Sequence, residues 1–150
     1  MLAKNIQVSG FFYNPTTEQI LLHQKSSREE LSTSWEFLSG DQKSTEDPRE
    51  AFKRLAQAAL NIKLALSQIR TVYDYNIENK NKEQFIVYVE TTKVRIGQKT
   101  ASDYTSCWFT FRQLHKLPMT EQTSHDIEVA KRVIKAKVRQ DEGQVVVKHN

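Results

Sequence analysis

The chain has 150 residues, of which 38% are hydrophobic and 27% charged, with a formal net charge of +4. This length suits one domain with a real core, and the composition argues against wholesale disorder. No apolar run reaches the length of a membrane span, and the segment MLAKNIQVSG lacks the apolar stretch of a secretory signal. Cys107 is the only cysteine, so no intrachain disulfide can form, and a cytoplasmic setting is the resulting expectation.

Taken in chain order, Asn5 to Tyr13 reads as a strand, Asn14 to Thr17 as a turn, and Gln19 to Gln24 as a second strand. Ser26 to Ser34 is polar and reads as a loop, and Trp35 to Leu38 as a short strand ending at Ser39-Gly40. The strongest helix start in the chain follows: Asp47 suits the N-cap, Pro48 the first helical position and Glu50 the capping acid. The helix should reach about Leu60, with Asn61 suited to a left-handed terminus. Ile69 to Ile77 and Gln84 to Thr91 form a predicted strand pair joined by the polar Glu78 to Glu83, and Ser106 to Phe111 is a further strand. A last helix, capped by Thr123 or Ser124, carries Ile127, Ala130, Val133, Ile134 and Val138 at helical spacing. Gln140 to Asn150 reads as a frayed tail, in which GQVVVKH could add a short strand. Strands and helices are thus mixed, which predicts an α+β protein built on a mixed sheet.

The stretch from Gly40 to Ile62 carries the most chemical information. Five residues separate Gly40 from Glu46, seven separate Glu46 from Arg54, and Ile62 occupies an apolar closing position. This spacing resembles the signature of the Nudix (MutT-like) hydrolases, which runs Gly, five residues, Glu, seven residues, then Arg-Glu-apolar-x-Glu-Glu-x-Gly-apolar. The resemblance extends to Leu21 to Ser26, to Trp35-Glu36-Phe37-Leu38-Ser39-Gly40 before the box, and to Trp108-Phe109 with Gln113-Leu114 after it, so that it covers roughly residues 5 to 138. It implies a Nudix-type α/β/α sandwich with a mixed sheet: a single Nudix-like domain over 1–139, with 140–150 as a C-terminal tail.

The chain departs from the family where the family does its chemistry. Arg-Glu-apolar-x-Glu-Glu is replaced by Arg54-Leu55-Ala56-Gln57-Ala58-Ala59, the closing glycine by Asn61, and the earlier Pro-Gly pair by Leu38-Ser39. Family members cut phosphoanhydrides with magnesium or manganese, hard cations that need several oxygen ligands. Positions 55, 58 and 59 project together from a helix, and here they offer only methyl and methylene groups. Ala51, Leu55, Ala58, Ala59 and Ile62 form an apolar stripe, with Phe52, Ala56 and Leu60 as a second, so this helix is expected to bury most of its circumference. No metal site is expected.

The resemblance implies that Arg54 pairs with Glu46, that Lys25 takes the place of a basic residue that faces the substrate phosphates or is a surface lysine at a strand end, and that Glu121, placed in the loop before the last helix, matches a general base of some members. Lys25, Gly40, Glu46, Arg54 and Asp74 are the candidate ligand contacts. If hydrolysis persists, displaced acids (Glu36, Glu46, Glu50 or Glu121) would carry it with magnesium or manganese; Asp41 and Asp47 also lie near, although Asp47 is better explained as the cap. Tyr13, Trp35, Phe37, Tyr73, Tyr75, Tyr88 and Trp108 are expected chiefly in the core, with base stacking as the alternative. The scattered His23, His115, His125 and His149 fit no zinc spacing, and Cys107 reads as a buried strand residue. Lys131, Arg132, Lys135, Lys137 and Arg139 form either a solvated helix face or a nucleic-acid surface. The function predicted is that of a pseudoenzyme with a degenerate Nudix box, needing no cofactor, that binds a nucleotide or nucleotide-sugar-like ligand, regulates or scaffolds. An active pyrophosphohydrolase and a nucleic-acid-binding module are the alternatives; no membrane partner is expected, and the oligomeric state stays open.

Overall fold

The computed structural model describes residues 5–25, 34–77, 82–92 and 104–148. Six strands are found among them: β1 (Asn5–Asn14), β2 (Gln19–Lys25), β3 (Leu38–Asp41), β4 (Ile69–Ile77), β5 (Lys82–Glu90) and β6 (Tyr104–Thr110). Three α-helices accompany them: α1 (Pro48–Leu60), α2 (Phe111–Leu114) and α3 (Glu121–Lys148). Met1–Met119 forms one compact unit and Thr120–Asn150 a second.

The sheet in the first unit runs β4-β5-β1-β2-β6, with β3 added on β1. β1 and β5 are parallel through Asn5↔Lys82 to Tyr13↔Glu90, while the other pairs are antiparallel, so the sheet is mixed as expected. The second edge of β1 is shared. Residues 7–10 pair with β3 and residues 12–14 with β2. The turn between β1 and β2 is closed by Asn14, whose Oδ1 accepts from the amides of Thr16 at 2.9 Å and Thr17 at 3.3 Å.

That sharing of β1 explains why the strand expected over Trp35 to Leu38 is displaced. Glu36 makes only an isolated bridge with His23 of β2, and the ladder with β1 begins at Leu38. A segment that changes partner between β2 and β1 cannot hold one continuous ladder. Trp35 instead donates its amide to the Pro118 carbonyl at 2.9 Å.

Helix α1 follows its sequence signals. The Asp47 carboxylate accepts from the amides of Arg49 at 2.9 Å and Glu50 at 3.0 Å. Pro48 is the first helical residue, and Asn61 ends the helix at φ 53°, its amide bonded to the Gln57 carbonyl. Ala51, Phe52, Ala56, Ala59 and Leu60 are buried in a core shared with Val8, Phe12, Leu21, Leu38, Val87 and Val89. On alternate positions of β1, Phe11 stacks on Tyr88 with centroids 5.6 Å apart and Ser9 accepts from Gln84 Nε2 at 2.7 Å.

Helix α3 departs from expectation at both ends. Thr120, rather than Thr123 or Ser124, caps it: its hydroxyl accepts from the Thr123 amide at 3.2 Å and its carbonyl from the Ser124 amide at 3.0 Å. Glu121 is therefore helical rather than in a loop. The helix also continues to Lys148, through most of the region read as a tail and through GQVVVK. Adding a residue to an existing helix is far easier than starting one, so the end of the apolar stripe does not end the helix. Residues 26–33 and most of the connection over 78–83 lie outside the described residues.

Gly10 sits under α1. A Cβ there would strike the Phe52 ring and stand 2.8 Å from Val87 Cγ2, whereas a Cβ on Gly40 would meet Leu55 Cδ2 at 2.6 Å. The obstacle at Gly40 is the mobile end of a leucine; at Gly10 it is a ring fixed in the core. Gly10→Ala is expected to cost about 1–3 kcal/mol and Gly40→Ala less, measured as the fall in urea midpoint at constant slope. Equal losses would show that the two close approaches are not as different as their neighbours imply.

Candidate functional site

The candidate site lies on the solvent side of α1. A cavity of about 510 Å³ is lined by Glu46, Glu50, Lys53, Arg54, Gln57 and Ala58, with Leu66 from the turn that precedes β4. Glu50, Lys53, Gln57 and Ala58 are exposed, so it is an open cleft rather than an enclosed chamber.

Arg54 and Glu46 form its fixed corner, as expected. Arg54 Nε donates to Glu46 Oε2 at 2.8 Å and one terminal nitrogen donates to Oε1 at 3.1 Å. The same nitrogen donates to the Asp41 carbonyl at 2.8 Å, so one guanidinium ties the end of β3 to the residue before the cap of α1. Glu46 Oε1 also accepts from the Lys43 amide at 3.0 Å, and the Glu46 carbonyl accepts from Gln42 Nε2 at 2.6 Å. The bonds from Arg54 hold the Glu46 carboxyl below its usual 4.5, helped by the Lys43 amide and opposed by burial; the Arg54 guanidinium is correspondingly shifted up. The Glu50 amide holds the Asp47 carboxyl below its usual 3.8 against the opposing effect of burial, with a further contribution from the Arg49 amide.

The three positions at which family members carry acids are not equivalent here. Leu55 is half-buried with its methyl groups over Gly40, Ala59 is buried in the core, and Ala58 is exposed on the cleft. The expectation that α1 buries most of its circumference is therefore corrected: among the described residues no element covers the flank with Lys53, Gln57 and Ala58. These residues do not fit a hard dication, because Leu55, Ala58 and Ala59 carry no donor and Glu46 is already held by Arg54. Among the described residues no group of three or more His, Cys, Asp or Glu side chains could hold a metal ion.

The structure brings Glu46, Glu50 and Arg54 together in the cleft lining, which does not include Gly40, Glu36 or Asp74. Gly40 lies on β3 beneath Leu55. Lys25 closes β2, and its side chain is outside the described residues. Glu36 bridges to His23 through the backbone, and Glu121 begins α3 in the second unit. Asp74, a candidate ligand contact, is exposed on β4 and does not line the cleft. Strand alternation turns it away from Tyr73 and Tyr75, whose rings stack on each other at 5.5 Å. Tyr13, Phe37 and Tyr88 are buried, as the core reading expected, while Trp35 and Trp108 are half-buried; so is Cys107, which is less enclosed than expected.

Lys53, Gln57 and Leu66 were not singled out from the sequence. The spacing of four between Lys53 and Gln57, flanking Arg54, marks a polar face, but nothing local announces that Leu66 returns beside it. His23 is also a surprise. It is fully buried, with Nδ1 2.7 Å from Ser106 Oγ, and burial pushes its imidazole down from 6.5 to about 4.

Three comparisons place this geometry. No family model matches the sequence, and no curated protein matches it. Solved structures do match. A structure of MutT, described for Aliivibrio salmonicida and Vibrio cholerae, is 17% identical with a TM-score of 0.68, covering 89% of this chain and 99% of that one. The Nudix domain of Shewanella oneidensis NrtR, complexed with ADP-ribose, is 12% identical with a TM-score of 0.68, over 89% of this chain and 90% of that one. An ADP compounds hydrolase is 9% identical with a TM-score of 0.67, over 87% and 74%. The protein has the α+β Nudix fold, and these identities establish the fold alone.

Two acid-sensitive groups follow from this geometry. His23 takes up a proton more readily unfolded than folded, so its contribution is complete above pH 6.5 and falls away toward pH 4. The loss is about 3 kcal/mol across that window. Glu46, with a depressed carboxyl, contributes above its ordinary 4.5 and loses its contribution only below it. In urea unfolding at stepped pH, His23→Gln should flatten the limb between pH 6.5 and 4, and Glu46→Gln only the limb below 4.5. An unchanged slope in either variant would remove that residue from the account.

Proposed function

We propose that this chain uses the Nudix frame to bind a nucleotide-derived ligand, in a regulatory or scaffold role, without the metal-dependent hydrolysis of family members. One observation carries the reading: the α1 positions that would present carboxylates are Leu55, Ala58 and Ala59, of which the first covers Gly40, the last is in the core, and only Ala58 reaches the cleft. A cleft of about 510 Å³ falls in the range of small-molecule sites. Lys53 offers a phosphate a cation, Gln57 can donate to or accept from a ribose or base, and Ala58 with Leu66 supplies an apolar surface. Glu46 and Arg54 brace the corner. That the NrtR Nudix domain was solved with ADP-ribose supports the choice of ligand class. A cytoplasmic setting belongs to the same reading. No helix among the described residues is long and apolar enough to cross a membrane.

The competing reading is a pyrophosphohydrolase that uses displaced carboxylates, for which Glu46 and Glu50 are the acids at the cleft. Thermal shift with ADP-ribose and ADP, each with manganese or with a chelator, separates the two. A ligand present at about 100 times its Kd stabilises by about 2.7 kcal/mol, which is a rise of about 5–10 °C for a chain of this size. The same rise is expected with and without metal, and Lys53→Ala or Gln57→Ala should weaken binding about tenfold. Manganese-dependent release of phosphate products, lost in Glu46→Gln or Glu50→Gln, would establish the hydrolase instead.

A further inference from the structure

Sequence alone leaves the five cations of the last helix undivided; the structure divides them. On α3, Ile127, Ala130 and Ile134 are buried along one line. Arg132, Lys135 and Arg139 are exposed, three and four residues apart, and so share the opposite face. Lys131 and Lys137 lie on the flanks, half-buried and already engaged by other groups. The exposed line is acidic at its start, with Glu121 and Glu128, carries His125 between them, and is purely cationic over 132–139.

We propose that α3 is a contact surface for the phosphate backbone of nucleic acid, carried by Arg132, Lys135 and Arg139. At 1.5 Å per residue the three cations extend over about 10 Å of helix axis. A nucleic-acid strand presents a phosphate about every 3.4 Å along its axis, so that length faces about three phosphates. Charge, spacing and exposure therefore match one strand of a polyanion. An anionic membrane fits less well: a surface-lying helix inserts large apolar side chains, and Val138 is the only large hydrophobic residue that is exposed among the described residues. The surface is backbone-reading, so it positions nucleic acid without selecting a sequence. It is independent of the α1 cleft.

The test is fluorescence anisotropy of the full chain with a labelled single-stranded oligonucleotide, RNA or DNA, and with a duplex, between about 50 mM and about 200 mM salt. Three phosphate contacts give a log–log salt slope of about −2 for single strands and about −3 for duplex. Each of Arg132→Gln, Lys135→Gln and Arg139→Gln should reduce that slope by about 1 and weaken all sequences alike. These positions are exposed and glutamine has nearly the same helix propensity, so circular dichroism and Tm should stay unchanged. Three results would overturn the proposal: no binding at about 50 mM salt, a triple Arg132→Glu/Lys135→Glu/Arg139→Glu variant that binds as the parent does, or binding to phosphatidylserine vesicles with none to oligonucleotides.

Discussion

The close seating of α1 on the sheet is the constraint from which the rest of the first unit follows. It depends on side chains that are missing. At Gly10 the space a Cβ would occupy is filled by the Phe52 ring, and at Gly40 by the Leu55 methyl groups. One glycine lies on β1 and the other on its partner β3, at the registers Gly10↔Leu38 and Val8↔Gly40. Helix and sheet are thus docked at two points along the helix, which sets both its height and its direction. Arg54, one residue before Leu55, then binds Glu46 and the Asp41 carbonyl, so the connection from β3 into α1 is clamped by the same turn of helix that packs on β3. Core packing and the polar clamp constrain one another.

This arrangement separates the frame from the chemistry. Phe52, Leu55, Arg54 and Glu46 do structural work that needs no ion. Replacing acids by Ala58 and Ala59 leaves that work intact, and the alanine at 59 even joins the core. A carboxylate in the core would have to be desolvated without a partner. With alanine at position 59 no such cost arises.

Much of this was legible in the sequence because it is local or set by spacing. Asp47 and Asn61 mark the limits of α1 through hydrogen bonds spanning a few residues and Pro48 by needing no amide donor at the first position, and Arg54 reaches Glu46 across only eight positions. The features that escaped are those fixed by distant segments. Whether residues 35–37 form a strand depends on β1 being divided between β2 and β3. The burial of His23 depends on β6, since its partner Ser106 is 83 residues away. Asp74 lies between two tyrosines in the sequence, yet alternation within a strand puts neighbours on opposite faces, so those tyrosines argue against a shared pocket. On α3 the apolar stripe ended, but the backbone hydrogen bonding did not, and periodicity reports only the first.

The Arg54–Glu46 pair also bears on what this site can become. For Glu46 to act as a base or a metal ligand it would have to surrender two bonds from the guanidinium and one from the Lys43 amide. Those bonds lower its proton affinity, and a weakly basic carboxylate that is already saturated is a poor acceptor for a water proton. Glu50 is freer, being exposed beside the cleft with its amide committed to Asp47, but a single exposed carboxylate on a flexible side chain does not assemble the several oxygens a hard dication requires. What the cleft does present is charge and hydrogen-bonding capacity beside an apolar surface. Lys53 and Glu50 lie three apart on α1 with Gln57 a turn beyond, a polar edge beside the apolar pair Ala58 and Leu66.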